Sequence, residues 1–212
     1  MEIIRLAIVD DHEIFRKGLR IILNEIDEVK VLGEAQNGHE LFEFLKHQTV
    51  DVVLMDIRMP VMDGIEATKK LVEKYPQIKV IALTMFEEIS YFNQMVEAGA
   101  DGFLLKKTNK DELSRAIHQV MLDETYFSEE FISNVNKTQR PKSRLMNIEL
   151  TEREQEILEF ICKGMSNAEI SKYLGISTRT IDGHRAHLLE KTGAKNSPHL
   201  VMFAIKNGLI DA

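Results

Sequence analysis

Residues 51–64 read DVVLMDIRMPVMDG, and this stretch decides the fold of the first part of the chain. Its apolar run, residues 52–55, is continuous rather than alternating, which is typical of a strand buried on both faces of a parallel sheet. The run ends at an acidic residue, Asp56, and a turn containing Pro60 leads into a helical pattern that begins at Gly64. We therefore expect a buried strand whose exit presents a carboxylate.

On both sides of this stretch, short β-branched runs alternate with helix-length amphipathic patterns. The predicted strands are 3–9, 29–35, 52–55, 80–84 and 102–105, and the predicted helices are 13–25, 39–47, 64–75, 89–98 and 111–122. Strands that alternate with helices of about 10 to 15 residues indicate a parallel sheet with helices on both faces. The predicted fold class is a doubly wound α/β fold with a five-stranded parallel sheet, spanning residues 1–124.

The pattern changes after residue 124. Residues 125–148 are predicted to be a linker with room for a short helix at its start, because residues 136–147 are polar and basic and include Pro141. From residue 149 to 212 the strand signal disappears, and four helix-length segments begin near Thr151, Ser166, Thr178 and Pro198. The tight turn at residues 175–177 gives the middle two a helix-turn-helix spacing. We therefore predict a second, smaller all-α domain over residues 149–212.

Composition excludes several classes of protein. Hydrophobic residues at 44% and charged residues at 29% of the 212 residues are typical of a soluble globular protein. No apolar run approaches the roughly 20 residues needed to cross a bilayer, and a single cysteine, Cys162, cannot form an intrachain disulfide. These features predict a cytoplasmic protein without a membrane partner. Residues 1–139 carry a net charge of -9 and residues 140–212 a net charge of +2, so the two parts are expected to have different partners.

Side chains that can bind a metal ion or a phosphoryl group stand at the ends of four of the predicted strands. Asp10 and Asp11 follow the first strand and Asp56 follows the third. Three converging carboxylates repel one another unless a cation neutralises them, and an all-oxygen site suits Mg²⁺. The fourth strand ends at the hydroxyl of Thr84, and the fifth is followed by the ammonium of Lys106. A phosphoryl group on Asp56 would find a metal ion, a hydrogen-bond donor and a positive charge around its oxygens.

This pattern matches a known family in type, order and position. The segments IVDD at 8–11, DIRMPVMDG at 56–64, LT at 83–84 and GFLLK at 102–106 resemble the receiver domain of two-component response regulators, over about 120 residues. The resemblance implies a flavodoxin-like strand order. It also implies that Asp56 accepts a phosphoryl group from a sensor histidine kinase.

The resemblance further implies a role for each neighbouring residue. Asp11 would bind Mg²⁺ directly, Asp10 mainly through water, and Arg58 through its backbone carbonyl. Thr84 would contact a phosphoryl oxygen and Lys106 would pair with it. Phe103 would be the aromatic switch that swings inward when Thr84 moves. His12, which follows the acidic pair, is interpreted as a packing or turn residue.

The C-terminal region resembles the LuxR-type helix-turn-helix through the segments LTEREQEIL at 150–158, GMSNAEISKYLGIS at 164–177 and TIDGHR at 180–185. With the receiver this implies the NarL/FixJ class of response regulators. The helix predicted from 178 to 191 places Ile181, His184 and Leu188 on its inward face. The candidates for DNA contact are Lys172, Arg179, Thr180, Asp182, Gly183, Arg185, Ala186, Lys191 and Lys195.

One residue of this region, Asp182, has two interpretations, and the last helix indicates a partner. Asp182 either accepts a hydrogen bond from a cytosine amino group or favours the N-terminal turn of its helix, and the sequence supports both equally. The last helix, with Leu200, Phe203 and Ile205, has apolar residues left over for a partner, and the resemblance implies that it pairs two DNA-binding domains.

These patterns predict a transcription regulator rather than an enzyme with a separate substrate. Phosphorylation of Asp56 is expected to promote dimerisation and binding to double-stranded DNA. Two alternatives are a Mg²⁺-dependent phosphohydrolase that forms an aspartyl-phosphate, and a DNA-binding or interaction module that is independent of phosphate. The first predicts turnover of a phosphoester, and the second predicts that Asp56→Asn leaves dimerisation and DNA affinity unchanged.

Overall fold

The computed structural model describes residues 3–85, 89–127, 148 and 150–209. Its strands are β1 Ile4–Val9, β2 Val29–Ala35, β3 Val52–Asp56, β4 Lys79–Thr84, β5 Gly102–Leu105 and β6 Tyr126–Phe127. Its helices are α1 Glu13–Leu23, α2 Gly38–Leu45, α3 Gly64–Lys74, α4 Ile89–Ala98, α5 Lys110–Met121, α6 Glu152–Cys162, α7 Asn167–Leu174, α8 Thr178–Thr192 and α9 Ser197–Lys206. None of the helices among these residues is long and apolar enough to span a membrane.

The sheet is parallel and has the strand order β2-β1-β3-β4-β5-β6. Its two faces bury different sets of helices. Leu19 of α1 and Leu113 of α5 pack with Ile8 in one apolar cluster, whereas Leu41 of α2 and Leu71 of α3 belong to another. Helices therefore cover both faces, which confirms the predicted doubly wound α/β fold.

The number of strands differs from the prediction. Tyr126 and Phe127 lie where the start of a short helix was predicted, and they pair with Gly102 and Phe103 of β5 as a sixth strand. The ring of Phe127 is stacked on that of Phe103, with centroids 5.4 Å apart and an interplanar angle of 3°. Burial of two aromatic rings against the sheet favours the extended backbone over a helix. The rest of the predicted linker, 128–147, lies outside the described residues.

The C-terminal helices begin where the sequence predicts capping. The side chains of Thr151 and Ser166 each form a reciprocal capping box, with Glu154 at the start of α6 and Glu169 at the start of α7. Gly175 ends α7 in the left-handed conformation, at φ 66°, and allows the sharp turn into α8. The predicted second domain of four helices therefore corresponds to α6 to α9, which share a core that includes Ile157, Ile170, Ile181, Leu188 and Leu200.

Candidate functional site

An acidic pocket lies at the carboxyl edge of the sheet. Parallel strands end at the same edge, so Asp10 after β1, Asp56 at the end of β3 and Lys106 after β5 come together. The Nζ atom of Lys106 lies 2.7 Å from Oδ2 of Asp56 and 2.9 Å from Oδ2 of Asp10. The structure thus brings Asp10, Asp56 and Lys106, which the sequence singles out, into direct contact.

Burial sets the ionisation of this pocket. Asp56 is 2% exposed, and burial raises its pKa to about 6, with a further upward contribution from the charge of Asp10 and opposing contributions from Lys106. For Lys106, burial lowers the pKa, but the hydrogen bonds to Asp56 and Asp10 outweigh this effect, and its pKa is raised overall. Lys106 therefore stays charged at neutral pH and stabilises the ionised form of Asp56.

The turn after β3 fixes the position of Asp56. The amide of Ile57 donates to Oδ1 of Asp56 at 2.8 Å, and the amide of Gly64 donates to the carbonyl of Ile57 at 2.9 Å. A Cβ atom at position 64 would lie only 2.0 Å from the backbone oxygen of Asp56. Asp63 caps α3 by accepting from the amide of Glu66 at 2.9 Å. The pair Asp63-Gly64 thus begins α3 directly against the backbone of Asp56.

The donor set of the pocket suits a divalent cation. Ligand atoms of Asp10, Asp11, His12 and Asp56 all lie within 4.8 Å of one another, and three of these residues are carboxylates, the ligands that Mg²⁺ prefers. Arg58 is exposed, and its guanidinium lies 6.0 Å from the ring centroid of Tyr91. These residues fit the Mg²⁺ ion that the receiver resemblance implies.

Two residues at this pocket were missed or underrated by sequence reasoning. Nδ1 of His12 lies 2.9 Å from Oδ1 of Asp11. The sequence signal for its place at the pocket is that it directly follows the acidic pair. Arg16 is 7% exposed, and its guanidinium donates to the backbone carbonyl of Asp10 at 2.5 Å. The position of Arg16 in α1, six residues after Asp10, gave no comparable signal.

Thr84 ends β4, and Phe103 lies in the neighbouring strand β5. Thr84 is 1% exposed, and its hydroxyl donates to the carbonyl of Met85 at 3.0 Å. Phe103 is fully buried, with Phe92 packed edge-on against it at a centroid distance of 4.6 Å. In this structure the aromatic side chain is therefore already turned inward.

Helix α8 presents a continuous exposed face. Arg179, Asp182, Gly183 and Ala186 are exposed and follow helical spacing, so they share one side of the helix. Thr180 at the start of α8, Lys172 on α7 and Lys195 after α8 are exposed as well. The major groove of DNA is wide enough to admit an α-helix, so α8 can enter it with this exposed face.

Several of the predicted DNA contacts have partners within the protein, among them Arg185, Lys191 and Asp182. Arg185 is 7% exposed, and its guanidinium donates to Oδ1 of Asn167 at 2.5 Å and to Oγ of Ser197 at 2.9 Å. It lies on the inward face with Ile181 and Leu188, whereas His184, which the sequence predicts to lie inward, is only half-buried. Arg185 therefore ties α8 to α7 and α9.

Lys191 forms an ion pair with Glu154, with Nζ and Oε2 2.6 Å apart. Burial alone would raise the pKa of Glu154, but hydrogen bonds from Lys191 and Thr151 lower it to about 2. Glu154 is therefore ionised at neutral pH and compensates the charge of Lys191. This pairing leaves Lys191 a weaker candidate for phosphate contact than Arg179.

Residues before and after the predicted linker contact each other. Oε1 of Glu124 accepts from the amide of Asn167 at 3.1 Å, and Nδ2 of Asn167 donates to Oδ1 of Asp182 at 2.7 Å. Helix α9 packs against α4 as well as against α6 and α8. The apolar residues predicted to remain free for a partner, such as Leu200 and Ile205, are buried in this arrangement.

Comparisons with known proteins place both parts of the chain in characterised families. Residues 6–118 match the response regulator receiver domain, and residues 149–204 match the bacterial regulatory proteins of the luxR family. The oxygen regulatory protein NreC of Staphylococcus aureus is 35% identical over 216 residues, which cover 98% of this chain and 99% of NreC. Among solved structures, the response regulator ChrA of a heme-sensing two-component system is 30% identical, with a TM-score of 0.56 over 99% of this chain and 100% of that chain.

A structure of two RcsB dimers bound to two parallel DNAs is 25% identical, with a TM-score of 0.60 over 97% of this chain and 99% of that chain. The match to the receiver family covers more than half of the chain, and the match to NreC covers nearly all of it. The chain is therefore a response regulator of the NarL/FixJ class, a phosphorylation-controlled transcription regulator that joins a receiver to a LuxR-type DNA-binding domain and is not a metabolic enzyme.

Proposed function

We propose that Asp56 stores a phosphoryl group taken from a sensor histidine kinase and that this group controls DNA binding through α8. The observation that carries the proposal is the position of Lys106, whose ammonium lies within 3 Å of both Asp56 and Asp10. Such an arrangement provides a nucleophilic carboxylate beside a fixed positive charge, as phosphoryl transfer requires. The matched ranges support a receiver domain at 1–124, a linker at 125–148 and a DNA-binding domain at 149–212.

In the proposed transfer, an oxygen of Asp56 attacks the phosphorus atom while the bond from phosphorus to the histidine nitrogen of the kinase breaks. Lys106 exchanges part of its pairing with Asp56 for a phosphoryl oxygen. Thr84 turns its hydroxyl away from the carbonyl of Met85 and toward a second phosphoryl oxygen. Asp11, Asp56 and the carbonyl of Arg58 would hold Mg²⁺, with Asp10 acting through water. The ion, when bound, neutralises charge on the transferred group.

The proposed output is dimerisation on DNA. Helix α9 packs against α4 in this structure, and we expect the pairing of two α9 helices to require that α4 and α9 separate. To shift a nearly all-inactive population to a nearly all-active one, phosphorylation must favour the active state by about 5.5 kcal/mol. Two half-sites about 10 base pairs apart would then place two α8 helices in successive major grooves. DNA binding and a kinase partner together favour a cytoplasmic location.

A comparison of wild type with Asp56→Asn tests this proposal. With Mg²⁺ and either acetyl phosphate or beryllium fluoride, we expect wild type to form a dimer in sedimentation velocity and to bind duplex DNA at least tenfold more tightly. Asp56→Asn should show neither change, because it lacks the acceptor oxygen. Asp27→Asn, an exposed position outside the pocket, is the matched control and should behave as wild type. Equal responses of wild type and Asp56→Asn would contradict the proposal.

Arg179 and Arg185 are expected to differ in what they contribute. Arg179→Ala should weaken binding to a mixed-sequence duplex several-fold and reduce the slope of log affinity against log salt by about 1, because one phosphate contact is lost. Its fold should be unaffected, since Arg179 is exposed.

Arg185→Ala should instead destabilise the four-helix region by about 2 to 3 kcal/mol, because buried partners on Asn167 and Ser197 lose their donor. Hydrogen exchange with mass spectrometry of α7 to α9 would measure this as faster exchange. Unchanged exchange in Arg185→Ala, with a reduced salt slope, would instead assign Arg185 to phosphate contact.

A further inference from the structure

His12 lies beside the acidic pocket, and the roles proposed above for the pocket residues do not involve it. Its Nδ1 atom lies 2.9 Å from Oδ1 of Asp11 and 3.2 Å from Oδ1 of Asp10. Its backbone amide donates to the same Oδ1 atom of Asp10 at 2.8 Å, which holds the residue against the pocket. The ring is 69% exposed, so the nitrogen reaches the carboxylates from the solvent side.

Two carboxylate oxygens from different residues converge on this one ring nitrogen. If Nδ1 carried a lone pair, it would face both oxygens without a donor between them, so a proton or a cation must lie there. A single N–H points well at only one oxygen, whereas a cation can contact Nδ1 and Oδ1 of Asp11 directly and Oδ1 of Asp10 through water. The geometry therefore fits a shared cation at least as well as a hydrogen bond.

The distances also agree with metal coordination. Adjacent ligands of an octahedral ion with bonds of 2.0 to 2.1 Å are about 3 Å apart, close to the 2.9 Å between Nδ1 of His12 and Oδ1 of Asp11. Ligand atoms of Asp10, Asp11, His12 and Asp56 all lie within 4.8 Å of one another. The imidazole thus stands where one more ligand of the same ion would stand.

We propose that Nδ1 of His12 is a ligand of the divalent ion in the acidic pocket, which makes the pocket a mixed oxygen and nitrogen site. Imidazole binds Ni²⁺ and Co²⁺ much better than Mg²⁺, which prefers oxygen. The pocket therefore favours these ions over Mg²⁺ more strongly than three carboxylates would. This inference rests on the metal site of the proposed function.

Calorimetric titration of the full chain with Mg²⁺ and with Ni²⁺ tests the ligand set. We expect His12→Ala to weaken Ni²⁺ binding by roughly tenfold or more and Mg²⁺ binding by less than about threefold. His187→Ala is the matched control, because His187 is exposed on α8, away from the pocket, and it should leave both affinities unchanged. Equal effects of His12→Ala on the two ions would overturn the proposal.

Electron spin echo envelope modulation of bound Mn²⁺ provides a direct signature. Wild type and His187→Ala should show coupling to a ¹⁴N nucleus, and His12→Ala should lose it. Coupling that persists in His12→Ala, or that is absent from wild type, would assign His12 to hydrogen bonding alone.

The variant Asp11→Asn distinguishes failure of the metal site in the proposed function from failure of the role proposed for His12. If this variant binds Mg²⁺ as wild type does, the acidic pocket is not the metal site. If it loses Mg²⁺ while His12→Ala keeps the wild-type preference between ions, only the role of His12 fails.

Discussion

Gly64→Ala is expected to destabilise the fold by at least about 3 kcal/mol and to abolish phosphoryl uptake by Asp56. The added Cβ would lie 2.0 Å from the backbone oxygen of Asp56, so the start of α3 or the end of β3 must move. Overpacking against backbone costs more than overpacking against a flexible side chain, because the backbone cannot rotate away. Gly64 is not among the residues with positive φ, so the effect arises from the close approach alone.

Urea unfolding followed by circular dichroism measures the stability, and mass spectrometry after incubation with acetyl phosphate and Mg²⁺ measures phosphoryl uptake. Gly18→Ala is the control, because a Cβ at position 18 of α1 meets nothing within 4 Å. That variant should be more stable than wild type by about 0.5 to 1 kcal/mol, since alanine favours a helix interior. Wild-type stability and uptake in Gly64→Ala would show that the contact with Asp56 has no consequence.

Asp56→Asn is expected to stabilise the metal-free protein at neutral pH. The pKa of Asp56 is raised from 3.8 to about 6 in the folded protein, chiefly by burial, so folding favours the protonated form. Wild type therefore loses stability as pH rises from about 4 to 6 and remains less stable above that range. The rise in pKa corresponds to roughly 3 kcal/mol, which Asn avoids because it is always neutral.

Urea unfolding in EDTA between pH 4 and 8 checks this sign. The gain of Asp56→Asn over wild type should be near zero at pH 4 and largest above pH 6. Addition of Mg²⁺ should stabilise wild type more than the variant, since the ion binds the ionised carboxylate. Asp27→Asn should show no such dependence on pH. A variant that is less stable than wild type at pH 8 would mean that pairing with Lys106 outweighs burial.

The alternating α/β pattern and the residues at the strand exits could be predicted from the sequence. Strand formation depends on local runs such as 52–55, and a polar residue that ends a buried parallel strand must lie at the sheet edge. Asp10, Asp56 and Lys106 could therefore be predicted to meet at one edge of the sheet. Capping boxes are equally local, so the starts of α6 and α7 followed from Thr151 and Ser166.

The tertiary structure decided what depends on distant partners. Tyr126 and Phe127 form a strand only because β5 offers them an edge and Phe103 offers a ring to stack on. Arg185 is inward because Asn167 and Ser197 satisfy its donors, which helical periodicity cannot express. Local sequence sets the elements and the order of their chemical groups, whereas burial and partner atoms, which depend on packing across the whole chain, determine what each group can do.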